Sequence, residues 1–292
     1  MDSVPYTFCE LVCGVLCAIQ EMSAGSGTNY AIWNLAAKRT CERRLDAEIN
    51  VDCRDGTWRY TINITGDTWN NGRTISFQEF KKLDRQHIHL NDVRMGSQSV
   101  FASRTSTLEE IAEILKFTAP CVNMSFIVIS KKCFVPEDDL SRLLSFYQNA
   151  TFRRISCYSQ NRASEQFLIA QMQTNAVEYL TIRERGWREE LRSAIEEFAL
   201  NKDFGRISVL SPSLVFGRAF FDALIQKPLF RKSSMFDAQF SFDTKELRAS
   251  GFQDIGGIYA GQEMRRIRKD GVLVTIGQYK WLSVELMHPL KY

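Results

Sequence analysis

Cysteine, histidine and the acids are the residues here whose spacing could do chemistry. Cys9, Cys13 and Cys17 recur every four residues. On a helix of about 3.6 residues per turn they share one face. Three thiolates on one helix hold a metal only with a fourth ligand from elsewhere. The other cysteines, at 41, 53, 121, 133 and 157, make no C-x-x-C pair, and zinc sites are commonly built on such pairs. The eight cysteines therefore read as free thiols serving as small apolar core residues. His87 and His89 stand two apart, on the same side of a strand. Spacing gives them no acidic or thiol partner, so a solvated strand edge is the simpler reading. Glu189, Glu190, Glu196 and Glu197 alternate with Arg188 and Arg192 in the manner of an exposed, salt-bridged helix face. No G-x-S-x-G nucleophile and no phosphate-binding loop is present. The expectation is a non-catalytic protein with no metal and no cofactor.

Bulk composition narrows the class. The 292 residues are 45% hydrophobic and 24% charged, the proportions of an ordinary folded chain. A net charge of +3 makes no electrostatic case for nucleic acid. The densest basic run, Arg265, Arg266, Arg268 and Lys269, adjoins a turn and reads as solvated hairpin charge. At the N-terminus Asp2 precedes the apolar run and Glu10 interrupts it, where a secretory signal needs a basic start. No uncharged run reaches the roughly 18 residues that span a bilayer. These features predict an intracellular protein, cytoplasmic or nuclear, with protein partners and neither membrane nor nucleic acid.

The elements follow from periodicity. Residues 4–20 read as a helix, with Pro5 in its first turn and Phe8, Leu11, Val12, Val15, Leu16 and Ile19 on its apolar positions. SAGSGTN (23–29) is a loop, and a second helix runs from about Tyr30 to Arg44 with Trp33 inside it. AEINVDCRDGTWRYTINI alternates on both sides of Arg54-Asp55-Gly56 and reads as a hairpin. MRRIRKDGVLVTIG reads as a second hairpin, turning at Asp270-Gly271.

The middle of the chain repeats. FRRISCYS (152–159), VEYLTIRE (177–184) and FGRISVLS (204–211) carry the apolar triplets Phe152, Ile155, Cys157; Val177, Leu180, Ile182; and Phe204, Ile207, Val209. MSFIVI supplies an earlier one, Met124, Ile127, Ile129, so the starts lie 28, 25 and 27 residues apart. Helix-like stretches separate them: DDLSRLLSFYQ, SEQFLIAQMQ and WREELRSAIEEFAL, with TLEEIAEILKF before and RAFFDALIQ after. HIHL (87–90) and AQFSF (238–242) read as outer strands of the series. A strand and a helix at this period lie in the leucine-rich-repeat range, and units this small bury their apolar faces only by stacking. A doubly wound α/β domain alternates in the same way and stays as the alternative. Trp33, Ile155, Leu180, Ile195, Phe198, Ile207 and Leu224 are the expected core.

MDSVPYTFCELVCGVL, AIWNLAAKR, DGTWRY and RGWREELRSAIEEF, in that order, resemble a nematode-expanded family with a degenerate F-box-like N-terminus and a leucine-rich-repeat-like α/β C-terminal region. The resemblance covers nearly the whole chain. Val4-Pro5 stands where an F-box has Leu-Pro, and Trp33 matches its later Trp. An F-box usually holds three helices; two are read here. The resemblance implies an α/β fold with residues 1–44 as F-box-like or capping segment. Residues 45–292 are then a curved parallel-sheet repeat array with flanking hairpins. It further implies that Pro5, Phe8, Leu11, Val12 and Leu16 dock on a Skp-type adaptor of a cullin ubiquitin ligase while the repeat region holds a target. The alternatives are that residues 1–44 only cap the array, and that the chain is a stand-alone interaction module with no ubiquitin-ligase role.

Strand alternation places a surface on that array. One outward row is His87, Phe126, Arg154, Tyr179, Arg206 and Gln239; the next is His89, Val128, Ser156, Thr181, Ser208 and Ser241. Arg154, Tyr179 and Arg206, with Ser156, Thr181 and Ser208, are the expected partner-binding residues, Arg and Tyr being enriched at binding hot spots. In-register stacking predicts both guanidiniums against Tyr179 with no carboxylate between them.

Overall fold

The computed structural model describes residues 31–65, 72–96, 103–130, 135–158, 161–174, 176–229, 231, 233–242, 244–254, 262–270, 272–278 and 282–287. The helix expected at 4–20, with Pro5, Phe8, Leu11, Val12 and Leu16, lies outside the described residues, as does the side chain of Trp33. The second expected helix is α1 (Ala31–Arg43). The chain divides into two compact units. The first holds the described residues up to Ile127 with Val135 and Ser145–Phe152; the second holds the others.

In the first unit β1 (Leu45–Arg54) and β2 (Thr57–Thr65) form the expected hairpin. Asp55 and Gly56 turn it with φ of 50° and 73°. Two consecutive left-handed residues make the turn whose twist suits paired strands. β3 (Arg73–Ile75) pairs with the far end of β2, and Ser76 and Glu79 form a capping box that starts α2 (Phe77–Phe80). β4 (Ile88–Met95) runs parallel to β1 after a single 3₁₀ turn at Arg85–His87. β5 (Arg104–Ser106) pairs with the start of β2, and Thr107 caps α3 (Leu108–Thr118). β6 (Val122–Ile129) completes the order β6-β4-β1-β2-β3. Ala47, Ile49, Val51 and Cys53 align with Ile64, Ile62, Tyr60 and Trp58, and all eight are buried. Phe77 and Phe80 close on Phe117 of α3, with ring centroids 5.9 and 5.5 Å away.

α4 (Glu137–Ser145) and β7 (Thr151–Cys157) are shared between the units. The second unit continues α5 (Arg162–Gln173), β8 (Tyr179–Arg183), α6 (Glu189–Asn201), β9 (Arg206–Leu210), β10 (Val215–Phe216), α7 (Arg218–Gln226), β11 (Ser233–Phe240), α8 (Thr244–Ala249), β12 (Gln253–Asp254), β13 (Gln262–Ile267), β14 (Leu273–Gln278) and β15 (Leu282–Met287). The strand order is β7-β8-β9-β11-β15-β14-β13-β12. β7, β8, β9 and β11 are parallel. β15, β14, β13 and β12 extend them antiparallel, and β13–β14 is the second expected hairpin. The described fold is thus mixed α/β, and in the second unit sequential parallel strands are extended by antiparallel ones.

The triplets set this order. Phe152, Ile155, Cys157, Val177, Leu180, Ile182, Phe204, Ile207 and Val209 are all buried. Ile155, Leu180, Ile207 and Phe236 stand directly opposite one another on four neighbouring strands. α5 packs on α6 and α6 on α7, so these helices form one layer against that apolar face. Ile195, Phe198 and Leu224 are buried on the helix side, as expected. Cys53, Cys121 and Cys157 are buried and not joined in a disulfide.

Two placements differ from expectation. His87 lies in the 3₁₀ turn before β4, not on a strand, while His89 stands on β4 opposite Asp46. The strand read as AQFSF begins earlier, at Ser233, and puts Met235 beside Arg206 and Asp237 beside Ser208, where Gln239 and Ser241 were expected. The reason is aromatic. Phe240 and Phe242 belong to a ring cluster with Phe221, at centroid distances of 5.7 and 4.9 Å. Their spacing follows that cluster, and Phe236 is the residue aligned with Ile207.

Candidate binding face

The helix layer covers one face of β7, β8, β9 and β11, and alternation sends the remaining side chains to the other. Three rows result. The first is Arg154, Tyr179, Arg206 and Met235; the second is Ser156, Thr181, Ser208 and Asp237; the third includes Arg183 and Leu210. Tyr158, the residue just after β7, lies beside Arg183. Arg154, Arg183 and Arg206 are exposed; Tyr158, Tyr179, Ser156 and Thr181 are half-buried; Ser208 is buried. The six expected partner-binding residues therefore share one face, in register.

The cations do not bracket the tyrosine as expected. The Arg154 guanidinium stacks on Tyr179, 4.7 Å from the ring centroid, and that of Arg153 lies at 6.0 Å. The ring also lies against Gly205: a Cβ added there would sit 3.1 Å from Cε1 and Cζ. Arg206 turns away to β11. Its Nε and Nη2 donate to Asp237 Oδ2 at 2.9 and 2.8 Å, and Ser208 Oγ donates to the same oxygen at 2.7 Å. An internal carboxylate thus engages one of the two expected cations. The earlier start of β11 brings this about, because it puts Asp237 in the row of Ser208, where Ser241 was expected.

Sequence reasoning missed a second stacked pair. Arg183 lies over the Tyr158 ring, 5.3 Å from its centroid. The available signal was the third outward position of each strand, four residues after Arg154 and Tyr179. β7 carries Arg with Tyr just past its end, and β8 carries Tyr then Arg. Among the described residues neither Arg154 nor Arg183 has a carboxylate partner.

Carboxylates are managed at the strand starts. Glu178 precedes β8 and takes Arg153 Nε at 2.8 Å and Arg231 Nη2 at 2.9 Å. Burial pushes its carboxyl up, but the hydrogen bonds and charges of Arg231 and Arg153 outweigh this and hold it below the usual range. Glu165, buried in α5, accepts the backbone N–H of Arg188 at 2.9 Å at the start of α6. On α6, Arg192 bridges Glu189 and Glu196, so the acidic helix face is salt-bridged as read.

The other expected chemistry is structural. His89 Nδ1 lies 2.6 Å from Asn91 Oδ1 and 2.9 Å from Arg44 Nη2. Among the described residues no group of three or more His, Cys, Asp or Glu is placed to hold a metal ion. The basic run is engaged at its hairpin: Arg266 donates to Ser250 O at 3.2 Å and Arg268 to Lys227 O at 2.7 Å. No helix among the described residues is long and apolar enough to cross a membrane.

No protein-family model matches this sequence, and no curated protein or solved structure matches it either.

Proposed function

We propose that the chain is a non-catalytic protein-binding adaptor whose second unit, read as leucine-rich-repeat-like, holds a target on the uncovered face of β7, β8 and β9. The observation that carries this reading is the register of that face. Arginines and tyrosines stand on either side of a row of small hydroxyl side chains, and none of them is required by the apolar core behind. Arg and Tyr are enriched among the residues that carry binding energy, and a floor of Ser and Thr lets a partner backbone approach. The ubiquitin-ligase role belongs to the N-terminal residues Pro5, Phe8, Leu11, Val12 and Leu16, proposed to dock on a Skp-type adaptor.

The two parts are tested separately. Purified full-length protein is titrated with a purified Skp-type adaptor, alongside Leu11→Asp/Leu16→Asp. Binding that the double variant abolishes supports the ligase role. A folded protein with no binding at tens of micromolar leaves the stand-alone module. For the face, p-benzoylphenylalanine is placed at position 181, or at the exposed position 197 of α6 as control. Photocrosslinked products specific to position 181 are expected; equal products from both positions reject the face.

A further inference from the structure

Resting on that reading, we infer that the face takes an extended acidic peptide segment with two carboxylates four residues apart. The two stacked pairs, Arg154 on Tyr179 and Tyr158 under Arg183, have opposite order on adjacent parallel strands. The arginines therefore stand at opposite ends of the face, diagonally across β7 and β8. Four residues of strand separate the ends, on the order of 13 Å at about 3.3 Å per residue. An extended peptide has the same rise, so its side chains at i and i+4 point the same way and reach both guanidiniums. Between the ends lie Ser156 and Thr181, short side chains that let such a peptide lie close to the sheet.

Charge decides which arginines take part. Arg153 is held by Glu178, and Arg206 by Asp237. Among the described residues Arg154 and Arg183 have only their tyrosine rings, which orient a guanidinium by its face and leave its N–H edge for an incoming carboxylate. Asp237 accounts for the side chosen. A peptide acid over β9 would meet a cation already neutralised and a buried carboxylate beside it. The match is thus centred on β7 and β8 and reads spacing as well as sign.

The test uses the full-length protein and a short fluorescein-labelled Ser/Thr peptide bearing two Asp residues four positions apart. Comparison peptides carry the two Asp residues adjacent, or Asn in their place. Anisotropy is expected to show the spaced peptide bound about tenfold tighter than its adjacent-Asp isomer, at 1.4 kcal/mol per tenfold. That preference should vanish in Arg154→Gln/Arg183→Gln and weaken as salt is raised. Arg206→Gln should retain it. Equal affinity for the two isomers, binding unchanged in the double variant, or no binding of any acidic peptide overturns the inference. Crosslinking from position 181 separates the two failures. Products that persist in the double variant keep the face as a binding surface and remove only its acidic occupant. Products absent from position 181 remove the face itself.

Discussion

Gly205→Ala tests how Tyr179 is held. The methyl carbon would stand 3.1 Å from ring atoms Cε1 and Cζ and 3.3 Å from the hydroxyl oxygen. Ordinary carbon contacts lie at about 3.5–4.0 Å, so the ring must move by a few tenths of an ångström. The Arg154 guanidinium, 4.7 Å from its centroid, leaves limited room to do so. Overpacking of this kind costs about 1–3 kcal/mol in a closed core, and the half-buried ring places the cost toward the low end. Against it stands a gain of about 0.4–1 kcal/mol, because alanine restricts the unfolded chain and Gly205 has no positive φ to lose. The substitution should therefore be neutral to mildly destabilising in the native background. In a Tyr179→Ala background the clash is gone and the same substitution should stabilise by about 0.4–1 kcal/mol. Urea unfolding of the four proteins gives the coupling directly, with an expected value near 1 kcal/mol. A Gly205→Ala effect equal in the two backgrounds within about 0.3 kcal/mol would refute the argument that the glycine seats the ring.

Two further outcomes follow from burial. Leu180→Ala, in the apolar row between Ile155 and Ile207, should cost about 2–5 kcal/mol in a denaturant titration; a cost well under 1 kcal/mol would say the row is not core. Lys227 is 5% exposed and donates to Ala199 O at 2.8 Å and to Lys202 O at the end of α6. Burial pulls its ammonium down from 10.5 to about 8, with the Asp203 carboxylate pulling the other way. Below pH 8 both states are protonated and the folded protein bears the whole penalty. Between pH 8 and 10.5 only the folded state sheds the proton, so stability rises with pH. Relative to Lys227→Met, the native protein should gain on the order of 3 kcal/mol across that window. A difference between the two proteins that stays flat with pH would refute the shift; other groups titrating there cancel in the comparison.

The strands and helices of the second unit were legible because their signal is local. Ile155, Leu180 and Ile207 recur in phase with the helices between them, and RAFFDALIQ occupies the very span of α7, Arg218–Gln226. Asp55-Gly56 fixed the first hairpin because only residues tolerant of positive φ sit there. What escaped depends on partners distant in sequence. Asp237 reaches Arg206 across 31 residues, and no periodicity announces a buried carboxylate. The start of β11 was hidden by Phe240 and Phe242, whose spacing answers to packing with Phe221. Arg183 and Tyr158 were readable as outward positions, but their stacking required the register between β7 and β8 as well.

The energetics of the uncovered face favour a binding role for it. A cation stacked on an aromatic ring at an exposed site contributes about 0.5–1 kcal/mol. Ordering a long arginine side chain costs a comparable amount or more. Arg154 on Tyr179 and Arg183 on Tyr158 thus add little net stability, and the apolar rows on the opposite side supply the burial that holds the strands together. Arg206 shows the contrast. It is 56% exposed, yet it satisfies a buried carboxylate that would otherwise lie desolvated beside Ser208. Folding therefore has a use for Arg206 and none of comparable size for Arg154 and Arg183. The two arginines with the weakest structural role are also the two whose N–H edges remain available at opposite ends of the hydroxyl row, which is where a recognition function would need them.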